Sequence, residues 1–465
     1  MSPVLNDDIL LEIFSYFKGA DDYQFLRTIS LLSRNFCSLA RPALYHSIDV
    51  SVDHPEGPDQ PGDGEIALSQ LCRTLDARPM YAHLVRRINF VWTNSGADER
   101  VVAILRKTRN LRYLGISRRK FFPAVGEVAS LPPAAFLGEN PMSYLRELDI
   151  TDPTLRVEDV FCYLRIPTLE TISINKSDHP SKAVLYPEDA SARQILAIGS
   201  SAWQEVDSRP DSAKTLKLLD LGGDSATISH ESLFHVLGTA KRVEKLRCKV
   251  PGEVVPGDYI HFMLATNIHT SLSPGAISQS LRPIKDSLVD LELDDFWMRW
   301  PGHDQSRLDL SAFTALKRLR VPRYCHIFAP SPHLSRNGVY KLLPPSLESL
   351  TVIFDNDAGF LYRTRAELHA YQTRPVERSS YHWVTELALL KDSRLPNLET
   401  VDIIEWADYH HWAEHDPNYC AVEYTSSEFR LPDDEALLFA TAGIRLKIVL
   451  RDQEAKNNEH FIGIC

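Results

Sequence analysis

The feature that most constrains this chain is a short phrase that recurs along it. Residues 167–174 read PTLETISI, and near copies stand at 345–352 as PSLESLTV and at 396–403 as PNLETVDI. The reduced pattern is a leucine, two variable residues, an aliphatic residue, one variable residue and another aliphatic residue. It begins at Val85, Leu111, Leu145, Leu169, Leu216, Val243, Leu288, Leu316, Leu347 and Leu398. The intervals between successive starts cluster near the length of a single structural repeat, which predicts a stack of repeated units with insertions or degenerate copies in the longer intervals.

The phrase has the alternation of a short β-strand. Alternate side chains of a strand point to opposite faces, so the first, fourth and sixth positions point into one core and the third, fifth and seventh line the other face. One such strand cannot bury its apolar side alone, whereas stacked copies cover one another. We therefore predict a curved parallel sheet with helices or irregular segments behind it. An α/β domain with unrelated strands is the alternative.

The repeated phrase resembles the leucine-rich repeat family in its irregular form, which implies a solenoid over residues 49–465. The Asn or Cys that this family places three residues after the last aliphatic position is replaced in four copies, by Pro153, Ser177, Asp224 and Trp406. The usual asparagine ladder is therefore not expected. Residues 53–65, rich in Pro, Gly and acids, are predicted to form a flexible loop, and 379–390 an added helix.

The first 48 residues predict three short helices. Apolar residues with the spacing of one helical face mark the first helix, at Ile9, Leu10, Ile13, Phe14 and Phe17. A second helix is expected to begin at Asp21 or Asp22. A third is expected to begin at Ser33 and to be stopped by Pro42.

The segments LNDDILLEIFSYF and FLRTISLLSRNFCSLARPALYHSI resemble an F-box, here of the fungal type that precedes a loose repeat region; Asn6 stands where that family has proline. The resemblance covers residues 1–48 and implies binding to a Skp adaptor subunit, and through it to a cullin ubiquitin ligase. A bundle this small cannot cover all its apolar residues. We expect adaptor contacts at Leu5, Ile9, Leu10, Ile13, Phe14, Leu26, Leu32 and Phe36. The alternative is a helical cap on the end of the solenoid.

The outward positions of three successive copies form bands of charge. The copy at Val243 presents Lys245, Arg247 and Lys249, the copy at Leu288 presents Asp290, Glu292 and Asp294, and the copy at Leu316 presents Arg318 and Arg320. We predict that this basic, acidic, basic surface selects a protein target by complementary charge. The alternative is that the charges pair across strands and only support the sheet.

Other features bound the class of function. A net charge of -11 argues against a nucleic-acid partner, and no stretch approaches the ~18 apolar residues of a membrane span. Seven scattered cysteines and a start without signal-peptide features favour a protein of the cytoplasm, the nucleus or both.

One enzyme motif is present, HWAEH at 411–415, which has the H-x-x-E-H pattern of a zinc peptidase. Asp416 and Pro417 follow at once and would break the helix that such a site needs, so a surface loop is the preferred interpretation. No cofactor, metal or catalytic residue is expected. The sequence thus predicts a non-catalytic substrate receptor of a ubiquitin ligase. A repeat scaffold without ligase association and a metallopeptidase are the alternatives.

Overall fold

The computed structural model describes fifteen parts of the chain, to which every structural statement below refers. They are residues 7–17, 20–52, 63–92, 98–118, 142–151, 157–175, 213–221, 228, 230–249, 271–294, 302–304, 306–322, 337–354, 381–405 and 426–451. These residues belong to two compact units. The first comprises 1–183 with 188–226, and the second comprises 227–465 with 184–187. The first unit therefore holds both the N-terminal helices and the first strands.

The chain begins with the three expected helices, α1 (Asp7–Ser15), α2 (Ala20–Leu32) and α3 (Arg34–Leu44). Ser33 caps α3, since its hydroxyl accepts the N–H of Phe36 at 3.1 Å. Pro42 lies inside α3, so the prediction that it stops this helix was wrong. It removes one backbone donor from the helix, but the helix continues past it to Leu44, and Tyr45 N–H still donates to Arg41 O at 3.0 Å.

The first unit contains six parallel strands whose order in the sheet is their order in the chain. They are β1 (Ser47–Val52), β2 (Arg87–Trp92), β3 (Tyr113–Arg118), β4 (Glu147–Thr151), β5 (Thr171–Asn175) and β6 (Leu218–Leu221). The helices of the intervening segments are α4 (Asp63–Ala77), α5 (Pro79–Ala82), α6 (Asp98–Lys107) and α7 (Val157–Leu164). Strand β1 follows α3 directly and begins two residues before the predicted solenoid boundary at 49.

The second unit contains six more parallel strands. In sheet order they are β7 (Lys245–Lys249), β9 (Asp290–Asp294), β11 (Arg318–Pro322), β12 (Ser349–Phe354), β13 (Thr400–Glu405) and β15 (Arg445–Arg451), with β14 (Ser426–Glu428) antiparallel at the edge. Strands β8 (Ser271–Leu272) and β10 (Gly302–His303) form a separate pair.

Five α-helices belong to the same unit, and two short 3₁₀ helices accompany them. The α-helices are α8 (His230–Thr239), α9 (Pro274–Leu281), α10 (His382–Leu389), α11 (Lys391–Arg394) and α12 (Asp433–Thr441), and the 3₁₀ helices are Arg282–Ile284 and Val339–Lys341. Helix α10 confirms the added helix expected within 379–390. Besides the parallel β8–β10 pair, the described parts of the two units thus contain twelve parallel strands and twelve α-helices, which confirms an α/β protein built on parallel sheet.

All ten copies of the phrase form strands, in the predicted register. In the copy that begins at Leu145, the first, fourth and sixth residues, Leu145, Leu148 and Ile150, are at most 1% exposed. Equivalent positions pair across strands, as Leu148 pairs with Ile172 of β5. Each copy therefore adds one layer to the apolar core of its own unit, as stacking requires.

The predicted loop at 53–65 ends earlier than expected. Helix α4 begins at Asp63, while residues 53–62 lie outside the described parts of the chain. Gly64 packs directly on the end of β1, because a Cβ atom at this position would lie 2.6 Å from the Cα of Val52 and would also overlap the carbonyl oxygen of Ser51. Glycine is therefore needed for contact with the strand, and its place in an acidic, Gly-rich stretch gave a misleading loop signal.

A ladder of side-chain hydrogen bonds joins successive copies. The residue just before the first position donates to backbone carbonyl groups of the preceding copy. The donors are Asn110, Thr168, Thr215, Ser287, Ser346 and Asn397. Thr215 Oγ1, for example, lies 2.8 Å from Leu169 O and 2.9 Å from Pro167 O. These bonds satisfy carbonyl groups where each strand begins, at the opposite end of the phrase from the expected asparagine position.

Candidate docking surfaces

The N-terminal bundle divides its apolar residues between a core and a surface. Phe14 and Leu26, both 3% exposed, form the core with Leu39 and Ala40. Leu10 and Phe36 are partly buried and pack against that core. Of the predicted adaptor contacts, Phe14 and Leu26 therefore support the bundle from inside, and Leu5 lies outside the described residues.

The remaining predicted contacts are exposed on α1 and α2. Ile9 is 51%, Ile13 40% and Leu32 69% exposed. Five further exposed apolar or aromatic residues accompany them, and these were not predicted: Leu11, Tyr16, Tyr23, Phe25 and Leu31. Leu31 reaches 80% exposure. The two helices, with Tyr16 just after α1, therefore present eight large apolar or aromatic side chains to solvent, and we call this set the bundle face.

The bundle is joined to the first repeat through the end of α3. The Tyr45 ring stacks on the Tyr81 ring of α5 with 4.5 Å between centroids, and Arg78 donates to the Tyr81 hydroxyl at 2.8 Å. Burial is the main cause that raises the pKa of Tyr45, and the electrostatic effect of the nearby Tyr81 is the second. The bundle face remains exposed after this packing, so contact with the first repeat does not account for it. This observation disfavours a helical cap as the sole role of the bundle.

The outward face of the sheet in the first unit carries a polar cluster that sequence reasoning did not single out. The Arg87 guanidinium lies 3.6 Å from the centroid of the Tyr113 ring, and the Tyr113 hydroxyl donates to Asp149 at 3.5 Å. Gly115 leaves room beside this cluster, because a Cβ atom there would overlap Asn89 Oδ1 and would lie 3.1 Å from the Tyr113 hydroxyl. Burial is the main cause that raises the pKa of Tyr113, and the negative charge of Asp149 is the second.

The charged bands of the second unit lie on neighbouring strands in the expected register. Asp290 pairs with Lys245 on one side and with Arg318 on the other, and Glu292 lies likewise between Arg247 and Arg320. These six residues line the outward face of the sheet. The side chains of Lys249 and Asp294 are outside the described part of the structure.

Cross-strand ion pairs hold both carboxylates of this face. Arg318 donates through Nε and Nη2 to one oxygen of Asp290, at 2.9 and 2.8 Å. Glu292 Oε1 lies 3.2 Å from Arg320 Nε and 3.8 Å from Arg247 Nε. The pairing considered as an alternative is therefore present. Lys245 is exposed and forms no ion pair with any described residue.

Metal-ligating side chains and thiols are the groups of the described residues that bear on the zinc-peptidase alternative. They contain no group of three His, Cys, Asp or Glu side chains placed to hold a metal ion, and the HWAEH stretch at 411–415 lies outside them. Cys37, Cys72, Cys162 and Cys248 are free thiols. Burial raises the pKa of Cys72, which keeps its thiol protonated.

None of the described helices combines the length and the apolar character that crossing a membrane requires.

Comparison with known proteins adds no assignment. No model of a protein family matches the chain. No curated protein matches it either. The function is therefore inferred from the sequence and the geometry described above.

Proposed function

We propose that this protein is a substrate-recognition subunit of a ubiquitin ligase of the Skp adaptor, cullin and F-box type. Its three-helix bundle is an F-box that binds the adaptor, and its two sheet-bearing units form an irregular leucine-rich-repeat region that binds a target protein. The observation that carries the proposal is the bundle face, where Leu31 is 80%, Leu32 69% and Ile9 51% exposed.

Exposure of this kind is costly for an isolated protein. Complete burial of one Leu or Ile side chain contributes about 1.5–3 kcal/mol, so covering several of them supplies much of the free energy of a specific interface. The same residues stand on or next to two short helices, α1 and α2, that both pack on α3, and exposed apolar residues on helices are what interfaces of the helix-in-groove kind use. A partner subunit is the simplest way to cover the bundle face, and the F-box resemblance implies that this partner is a Skp adaptor.

The mechanism is proximity. A receptor that holds the adaptor at one end and a target along the repeats raises the effective concentration of target lysines near a ubiquitin donor. No nucleophile, general base or metal of its own is needed for this role. We propose that the protein acts in the cytoplasm, the nucleus or both.

The test measures affinity for a purified Skp adaptor by calorimetry. Ile9→Asp with Ile13→Asp places two charges on the bundle face, four residues apart on α1, and leaves the buried Phe14 intact. Two lost anchors at about 1.5 kcal/mol or more each weaken binding at least about 100-fold. Leu437→Asp is the matched control, since Leu437 is 65% exposed on α12. We expect it to bind the adaptor normally.

The proposal fails if the unaltered chain has no affinity for the adaptor, or if the double variant binds as tightly as the control. Circular dichroism of both variants must show the unaltered helix content, because a melted bundle would lose binding for another reason. Normal target capture without adaptor binding would instead support a repeat scaffold with no ligase association.

A further inference from the structure

The outward face of strands β7, β9 and β11 is more basic than the chain as a whole. It carries four described cations against two carboxylates, and we call these six residues the cationic sheet face: Lys245, Arg247, Arg318, Arg320, Asp290 and Glu292. Their charges sum to +2, whereas the whole chain has a net charge of -11. Charge is therefore segregated onto this surface, and an anionic partner is complementary to it.

The carboxylates fix the arginines in place. Arg318 directs two N–H groups at Asp290, and Glu292 lies between Arg320 and Arg247 at 3.2 and 3.8 Å. A guanidinium has five N–H donors, so these contacts leave donors for a further acceptor on Arg318. Ordering the side chains before a ligand arrives lowers the entropy cost of binding it. The ion pairs thus support the sheet and also preorganise a binding surface.

The spacing of the cations suits an extended ligand. Residues two apart on one strand, such as Arg318 and Arg320, are separated by about 6.6 Å, which is also the separation of alternate side chains in an extended peptide. The cations are dispersed, and each stands beside a carboxylate. A compact dianion such as phosphate would be repelled by that carboxylate, whereas single negative charges at alternate positions can each meet one cation.

We propose that the cationic sheet face binds an extended acidic peptide of the target, with Asp or Glu at alternate positions. This inference rests on the proposed function in one respect, namely that the repeats hold a target protein. It specifies the chemical class of the target segment and the strands that bind it.

Two neutral, similarly sized substitutions distinguish recognition from structural support, because they act with opposite signs. Lys245→Gln removes an exposed cation, and we expect it to weaken peptide binding about threefold. Glu292→Gln removes a carboxylate that competes with the ligand, and we expect it to tighten binding about threefold while lowering thermal stability. Lys241→Gln, at an exposed lysine in the turn before β7, is the control and should leave affinity unchanged.

The assay is fluorescence anisotropy of the full-length chain with a fluorescein-labelled peptide of six Glu-Ser dipeptides. A peptide of six Glu followed by six Ser has the same charge and should bind more weakly. The inference is overturned if the alternating peptide does not bind, if the two variants change affinity in the same direction, or if a peptide with one phosphoserine and no Glu binds more tightly.

Adaptor affinity is measured on the same preparations. Peptide binding without adaptor binding would contradict the ligase proposal alone. Adaptor binding without peptide binding would contradict this inference alone.

Discussion

Removing one hydroxyl group of the side-chain ladder should measurably destabilise the repeats. Thr215 is a suitable position, because its hydroxyl reaches two carbonyl groups of the preceding copy, Leu169 O at 2.8 Å and Pro167 O at 2.9 Å. Thr215→Val replaces the hydroxyl with a methyl group of similar size. The change therefore tests the hydrogen bonds with little effect on packing volume.

The magnitude follows from the fate of the two acceptors. A typical hydrogen bond contributes about 1 kcal/mol net, and leaving a partly buried acceptor unsatisfied costs about 1–3 kcal/mol. We expect Thr215→Val to lower the free energy of unfolding by about 1–2 kcal/mol. For a unit of this size that corresponds to a fall of about 2–8 °C in the unfolding temperature.

Calorimetry or circular dichroism during heating measures the effect, with Thr314→Val as the matched control. Thr314 is exposed and precedes the first position of its copy by two residues. The residue just before that first position is Ala315, whose side chain has no donor, so this copy contributes no hydrogen bond to the ladder. We expect Thr314→Val to change the unfolding temperature by less than about 1–2 °C. Equal stability of Thr215→Val and the unaltered chain, or equal losses in both variants, would refute a stabilising ladder.

Two further predictions concern glycine and tyrosine. Gly64→Ala should destabilise the protein by about 1–3 kcal/mol, because its Cβ would meet the backbone of β1, whereas Gly238→Ala in α8 has no atom within 4 Å of its Cβ and should stabilise by about 0.5–1 kcal/mol. Urea unfolding of both variants checks the pair, and destabilisation by Gly238→Ala would contradict it. Burial and Asp149 raise the pKa of Tyr113 in the folded state, so the folded protein holds this proton more tightly and stability should fall as the pH rises above about 10. Tyr113→Phe should reduce that fall, and an identical pH dependence in the variant would count against it.

The strands were predictable because the sequence repeats the same packing requirement. Each copy has an apolar first position that must be buried in its layer, as Leu288 and Leu316 are, both 0% exposed. The first and last parallel strands, β1 and β15, escaped the pattern because their first positions are not aliphatic. Tyr45 fills that position before β1 and stacks on Tyr81, whereas Gly443 fills it before β15 and has a φ of +65°. The chain adopts a left-handed conformation where it leaves α12, and glycine adopts that conformation most readily. Glycine therefore stands here in place of the leucine of the other copies.

The docking surfaces were predictable in part. Helical spacing identified the apolar residues of the bundle but could not say which of two neighbours faces outward. Ile13 is 40% exposed while the adjacent Phe14 is 3% exposed, a difference set by how α1 packs on α3. The charge bands were predictable, because alternation in a strand fixes the face on which a side chain lies. Their ion pairs depend on the alignment of neighbouring strands, which a single phrase does not contain.

Hydrogen exchange of the full-length chain, measured with and without a purified Skp adaptor, tests the proposed receptor role most directly. If the bundle is an F-box, the adaptor should slow amide exchange in α1 and α2, within residues 7–32, because covering the bundle face suppresses local opening of these helices. Exchange in the strands of the second unit should be unchanged. Unaltered exchange throughout residues 7–32 at saturating adaptor, or protection confined to the strands, would contradict the claim that this bundle recruits a ubiquitin ligase.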